Sequence, residues 1–456
     1  MSITAVCWFL VLAGLLILSL KRPVYALSLY FFTFFLSPTF WWWGDEVPDL
    51  RWNLLTGCVL LVIAIGQRLR EGAPILPEGA WLKGLAVAIL VNASFVHFFL
   101  AADPVLSSEP YWLLAKFVLL FFLMLTVVRT EEDMNTLVLT LVLGAAYVGY
   151  EVTINDRGNV TGSRLEGVGV AGVQNSNELA ALLLVVLPLA GSLLFTGTKY
   201  QRVAVVLAGP LILNTVLLCN SRGAFLALIA MAIVILIAAP GRARRHVTVG
   251  LALGGVALFF LLGDEEIIQR FLTVFADPEE RDNSATSRLE LWQAALTMIP
   301  EHPLGAGGDG FKAYAEVYLP RVGLEPEARA VHNGYLTEAT EWGLQGLLLR
   351  AIFALGAALT AFRVLRRHRT DPDGRVSMLG ACLLCAWVGW LMTSMFGDYI
   401  DNEWGYWIAA MMLSYAAIYH AAPALAGADE TARAPDPAAA ATPHAASARV
   451  SVQPGA

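Results

Sequence analysis

The chain has 456 residues, 57% of them hydrophobic and only 15% charged, with a mean hydropathy of +0.63. A soluble domain carries about 25% charged residues, so this composition excludes a water-soluble globular protein and makes lipid the solvent. The formal net charge of -7 says little about partners, because the charges are segregated by loop.

A membrane span needs about 20 apolar residues. By that rule there are about 13 spans, at 3–20, 23–40, 53–67, 82–101, 110–128, 133–151, 177–195, 202–219, 222–240, 246–263, 343–363, 376–396 and 404–421. The predicted fold is therefore all-α: a polytopic helical bundle with one large extracytoplasmic loop of short surface helices. The first run lacks a basic segment before it and a small-residue cleavage site after it, so we read it as a retained span. Four parts follow: an N-terminal bundle (1–263), a polar insert (264–342), the last spans (343–422) and an Ala- and Pro-rich tail (423–456) that reads as disordered and cytoplasmic. All five cysteines fall in or beside apolar runs. Cys382 and Cys385 have redox spacing, but mid-span they read as small core residues.

Lys and Arg set the expected orientation. One set of alternate loops carries Lys21-Arg22, Arg68 and Arg70, Arg129, Lys199 and Arg202, Arg244-Arg245, and the basic run from Arg363 to Arg375. The other carries Asp45-Glu46, Asp103 and Glu109, and Asp398, Asp401 and Glu403. The first set is expected in the cytoplasm. The N-terminus, the 152–176 loop and the insert are then outside. Trp41-Trp42-Trp43, Trp404 and Trp407 stand where interfacial anchors belong.

The insert mixes charge, aromatics, Gly and Pro. It opens on Asp264-Glu265-Glu266, which reads as a solvated helix end. Ser284 to Ile299 has helical spacing of Leu289, Trp292, Leu296 and Ile299, closed by Pro300 and Pro303. Phe311, Tyr314, Ala315 and Tyr318 suggest a second short helix ended by Pro320, and a third starts near Asn333. Gly305-Ala306-Gly307-Gly308-Asp309-Gly310 matches a dinucleotide-binding fingerprint by letter only. No strand precedes it and no βαβ unit surrounds it, so a tight turn explains the glycines.

Cations on the outer side run against the general bias and are the first candidates for chemistry. Arg222 sits in a short outer connection, Asn220-Ser221-Arg222-Gly223. It is either an interfacial arginine that snorkels or a phosphate clamp, since a guanidinium stays charged and its fork of donors matches phosphate oxygens. Arg288 lies on the first insert helix, where a solvated face is the bland alternative. Lys116 is either a snorkelling lysine or a further positive charge in a cavity. His332 precedes Asn333 and Gly334 at a helix start. With a reference pKa near 6.5, a histidine can accept a proton at neutral pH, although a lone histidine often has a structural role. His302, before a proline in a turn, reads as structural. No paired His or carboxylate cluster has metal-ligand spacing.

Several of these segments resemble the O-antigen ligase and polymerase family of bacterial membrane glycosyltransferases. They are Asn220-Ser-Arg-Gly-Ala-Phe-Leu-Ala-Leu228, Ser287-Arg-Leu-Glu-Leu-Trp292, His302-Pro-Leu-Gly-Ala-Gly307, His332-Asn-Gly-Tyr-Leu336 and Glu341-Trp-Gly-Leu344. Gly172-Val-Gln-Asn-Ser-Asn-Glu-Leu-Ala180 resembles the start of an earlier span of that family. The likeness covers roughly 160–350 in the same order.

The resemblance implies a periplasmic site in the bacterial inner membrane that moves a glycan from undecaprenyl diphosphate to a hydroxyl of a glycan, a lipid A-core or a protein. It implies that Arg222 and Arg288 contact the diphosphate and that His332 acts on the acceptor. Lys116, Asn177, Asn333 and Tyr335 are further candidate substrate contacts. No metal, cofactor or nucleic-acid partner is expected, and the transfer is expected to invert the anomeric centre. The alternative is a polytopic transporter or flippase of lipid-linked or polysaccharide substrates, which would place ionisable residues near the bilayer midplane.

Overall fold

The computed structural model describes residues 1–71, 79–161, 164–173, 175–261, 283–319 and 330–420. Asp264-Glu265-Glu266, Pro320 and the 423–456 tail lie outside these residues. In chain order the N-terminal helices are α1 (Ile3–Ser19), α2 (Val24–Phe35), α3 (Trp52–Glu71), α4 (Ala80–Phe99), α5 (Pro104–Val127) and α6 (Glu131–Thr153). A two-stranded hairpin follows, β1 (Asn159–Thr161) and β2 (Arg164–Glu166), and then α7 (Ser176–Thr196), α8 (Lys199–Leu218), α9 (Arg222–Ala238) and α10 (Gly241–Leu261). The insert contributes α11 (Asn283–Glu301), α12 (Gly310–Ala313), α13 (Ala315–Tyr318) and α14 (Gly334–Glu341). The last helices are α15 (Gly343–Arg367), α16 (Arg375–Thr393) and α17 (Glu403–His420).

Each of the thirteen apolar stretches is thus a helix. Among the described residues eight of them, α3 to α8, α15 and α16, are long and apolar enough to cross a membrane, while α1, α2 and α9 are apolar but shorter. Helix starts follow the capping chemistry. Thr130 with Asp133 and Thr198 with Gln201 form capping boxes on α6 and α8, and Asp103 and Asn175 accept backbone N–H groups at the starts of α5 and α7. These side chains satisfy donors that a helix leaves open in its first turn.

Burial separates centre from periphery. In α7 and α16, 72% of the apolar window is buried, against 17% in α3. Helix α16 packs along both α7 and α9, so these three form the axis around which the rest are laid.

One end of the bundle is tied by charge. Arg22 pairs with Asp133 at 2.7 Å and also with Glu132. Arg375 Nη2 donates to Glu131 Oε1 and to the Thr196 carbonyl, both at 2.9 Å. These contacts place the starts of α6 and α16 and the end of α7 together. The start of α7, the start of α9 and the end of α16 therefore share the opposite end.

The tryptophans expected as interfacial anchors are mostly core residues, a correction to the sequence reading. Trp41, Trp43, Trp404 and Trp407 are buried, and only Trp42 is exposed. The indole donors find internal partners: Trp41 the Phe35 carbonyl at 3.0 Å, Trp43 the Tyr147 hydroxyl at 2.8 Å and Trp407 Glu403 Oε2 at 3.2 Å. A donor satisfied inside the protein removes the reason for a tryptophan to sit at a wet boundary.

The insert also differs in detail from expectation. Helix α11 runs through Pro300 to Glu301, because a proline in the last turn forfeits little further pairing. The second expected helix is split at Tyr314 into the one-turn helices α12 and α13. The glycine run threads the junction between α14 and α15. Ala306 N–H donates to the Thr340 carbonyl, Gly307 N–H to the Glu341 carbonyl, and Leu344 N–H to the Pro303 carbonyl, at 2.9 to 3.0 Å. A Cβ on Gly305 or Gly343 would overlap the facing backbone, and both have positive φ, 94° and 80°. The glycines serve backbone-to-backbone approach.

Candidate active site

At the end of the bundle opposite the basic tie lies a pocket. The first turn of α9 forms one wall, from Ser221 through Arg222 and Gly223 to Ala224. Ser221 makes no side-chain cap bond, and the first-turn N–H groups of a helix have no intrahelical acceptor. This wall therefore presents backbone donors and the positive end of a helix dipole, a combination suited to an anion. Gly223 packs closely there: a Cβ would meet the Phe396 side chain at 3.0 Å, so that side chain would have to give.

Three guanidiniums face this pocket: Arg222 from α9, Arg288 from α11 and Arg164 from β2. Asn177, in the first turn of α7, and Tyr399, in the loop after α16, also line it, with Asn220, Thr393 and Phe396. Burial lowers the pKa of Arg288; Tyr399 opposes that shift, and the positive charges of Arg222 and Arg164 add to it. It remains a cation at any working pH. Such crowding of like charge raises the free energy of the empty site and favours an anion that would relieve it.

His332 stands beside this group, not on the pocket wall. Burial lowers its pKa below the ordinary 6.5; Asp398 opposes that shift and Arg288 adds to it. Arg288 is thus the link between the imidazole and the pocket. The imidazole Nδ1 lies 3.9 Å from Asp398 Oδ2, and the His332 backbone N–H donates to the same oxygen at 3.3 Å. Thr337 Oγ1 donates to the other carboxylate oxygen. The imidazole is 43% exposed, which leaves room for a substrate hydroxyl.

Two residues at the site have left-handed backbone without being glycine: Asn220 with φ 43° and His332 with φ 55°. Such conformations cost about 1–3 kcal/mol and persist where the surroundings over-determine them. Here they turn the chain into α9 beside Arg222 and into α14 beside the imidazole.

The remaining sequence candidates separate. Asn177 lines the pocket. Asn333 is the N-cap of α14, its Oδ1 accepting from Tyr335 N–H at 3.1 Å and Leu336 N–H at 3.3 Å. Tyr335 donates its hydroxyl to the Leu391 carbonyl at 2.9 Å, and burial pushes its pKa up to about 12. Both side chains hold the helix that carries His332. Lys116 is exposed on α5 and does not line the pocket. His302 stacks on Tyr314 with ring centroids 4.4 Å apart. Among the described residues no group of three or more His, Cys, Asp or Glu is placed to hold a metal ion.

Residues 203–351 match the family model described as O-antigen ligase. Over these residues the chain is similar to the O-antigen ligase and polymerase family. That match and the eight helices long and apolar enough to cross a membrane suit a multi-pass membrane protein. The matched segment includes Arg222, Arg288 and His332. Arg164 and Asp398 lie outside it. No curated protein matches the chain.

Sequence reasoning missed Arg164, Asp398 and Tyr399. Arg164 carries the same signal that selected Arg222, a cation in the otherwise acidic set of loops. Asp398 was read only as one of the charges that set orientation.

Proposed function

We propose that this protein belongs to the O-antigen ligase and polymerase family and transfers a glycan from undecaprenyl diphosphate to an acceptor hydroxyl at the periplasmic face of the bacterial inner membrane. The observation that carries the reading is the meeting of three arginines and the first turn of α9 in one pocket, with His332 next to Arg288.

The donor is an anionic diphosphate on a lipid, and its headgroup would occupy the arginine pocket. As the glycosidic bond breaks, the electron pair passes to the diphosphate oxygen. Fixed guanidiniums and helix N–H groups stabilise that developing charge more than the ground state. His332, held neutral by burial, takes the proton of the attacking hydroxyl, and Asp398 stabilises the imidazolium that results. Attack on the anomeric carbon from the side opposite the diphosphate inverts its configuration. The acceptor is a growing glycan, a lipid A-core or a protein. The charges used in this scheme lie at one end of the bundle, which supports surface chemistry over passage through it.

The test is glycan transfer in cells that carry single variants. Arg222→Ala, Arg288→Ala and His332→Ala should each abolish transfer while the protein stays in the membrane at normal amount. Full transfer with His332→Ala would remove the general base.

A further inference from the structure

Arg164 is the cation at the pocket that the family segment does not include. It opens β2, opposite Thr161 of β1. Its Nη2 donates to Ser176 Oγ at 2.8 Å, and Ser176 Oγ donates to Glu166 Oε1 at 3.0 Å. This chain ties the hairpin to the start of α7. Glu166 Oε1 stands 3.9 Å from Arg164 Nε, beyond hydrogen-bond reach. That Nε is buried and has no hydrogen-bond acceptor. A buried donor on a charged group that is left without an acceptor is costly, and such groups call for an explanation such as a missing ligand. Arg288, across the pocket, senses Arg164 as positive charge.

Charge counting gives this cation a task. In the donor both phosphates are esterified and each carries one negative charge. When the bond to the anomeric carbon breaks, the terminal phosphate gains a second ionisable oxygen, whose pKa is about 6. The departing group therefore carries one more charge than the bound donor.

We propose that Arg164 is a third catalytic cation, contacting the terminal phosphate as it gains charge. Arg222 and Arg288 balance the two charges of the bound donor, and Arg164 matches the extra one. The bond that forms joins the acceptor oxygen to the anomeric carbon, the bond that breaks joins that carbon to the phosphate oxygen, and the acceptor's proton goes to His332. This rests on the glycosyl-transfer reading above.

The experiment uses the full chain in lipid nanodiscs, with purified undecaprenyl-diphosphate glycan as donor and undecaprenyl diphosphate as product inhibitor. Arg164→Ala should lower kcat about 10²-fold and leave the donor KM within about threefold. It should raise the inhibition constant of undecaprenyl diphosphate about tenfold, because the product carries the added charge. Arg164→Lys should recover part of kcat, and Ser176→Ala, which cuts the tether but keeps the charge, should retain most of it. Unchanged kcat, equal changes in KM and the inhibition constant, or a Ser176→Ala loss as large as that of Arg164→Ala would overturn the proposal. Arg222→Ala is run in parallel: its loss of transfer keeps the wider reading even if Arg164 proves dispensable, and its full activity would sink both.

Discussion

The His332 imidazole Nδ1 and its own backbone N–H both address Asp398 Oδ2, at 3.9 and 3.3 Å. The carboxylate thus holds the left-handed backbone of His332 and faces its ring. Burial lowers the His332 pKa more than Asp398 raises it. The neutral, basic form therefore persists below the ordinary value of 6.5, and the acid limb of kcat/KM should fall on the low side of it. Asp398→Asn removes the influence that favours the imidazolium. The limb should then move to still lower pH, while the plateau drops about 10²-fold. A pH–rate profile checks both; a limb that moves upward would contradict the assignment.

Arg350 is buried in α15 and donates to Glu338 Oε2 of α14 at 2.8 Å, to Asp401 Oδ1 at 3.3 Å and to the Tyr406 hydroxyl at 2.8 Å. Glu341 sits nearby, and burial holds its carboxyl well above the usual range. Removing the guanidinium leaves carboxylates buried without compensation. Arg350→Met should destabilise the protein by about 3–5 kcal/mol, and adding Glu338→Gln should recover part of that. Unfolding in detergent measures both; equal stability of the single variant and the parent would show that the pair holds nothing.

Gly343 sits at the break between α14 and α15 with φ 80°, pressed on the backbone of Leu304. Gly343→Ala brings backbone strain of about 1–3 kcal/mol and pushes the glycine run off the junction. Transfer and thermal stability should both fall. A variant with parental melting and parental activity would mean that the junction is not tight.

Asn333 separates a capping role from a substrate contact. Its side chain closes the first turn of α14, so Asn333→Ala should cost about 0.5–2 kcal/mol of stability, and Asn333→Ser or Asn333→Asp should restore it. A raised donor or acceptor KM with unchanged stability would instead mean that Asn333 touches substrate.

The helices were legible in the sequence because a bilayer demands long apolar runs, and each such run is a helix. Which of them cross was less legible. Val24–Phe35 is apolar but short, and its neighbours Trp41 and Trp43 turn inward to find hydrogen-bond partners. Arg222, Arg288 and His332 stood out because charge is scarce in such a chain. Asp398 and Arg164 were hidden by long-range contacts: one is 66 residues from His332, and the other lies in a short hairpin that span-counting passes over. Asn333 and Tyr335 sit in the same motif as His332, and only the structure separates helix support from pocket lining.

The most direct measurement is transfer by the purified protein in a bilayer, from undecaprenyl-diphosphate glycan to a panel of glycan, lipid A-core and protein acceptors. Glycan should appear on one acceptor class with inverted anomeric configuration and with release of undecaprenyl diphosphate, and His332→Ala should abolish it. Retained configuration, or an unaltered rate with His332→Ala, would contradict the account.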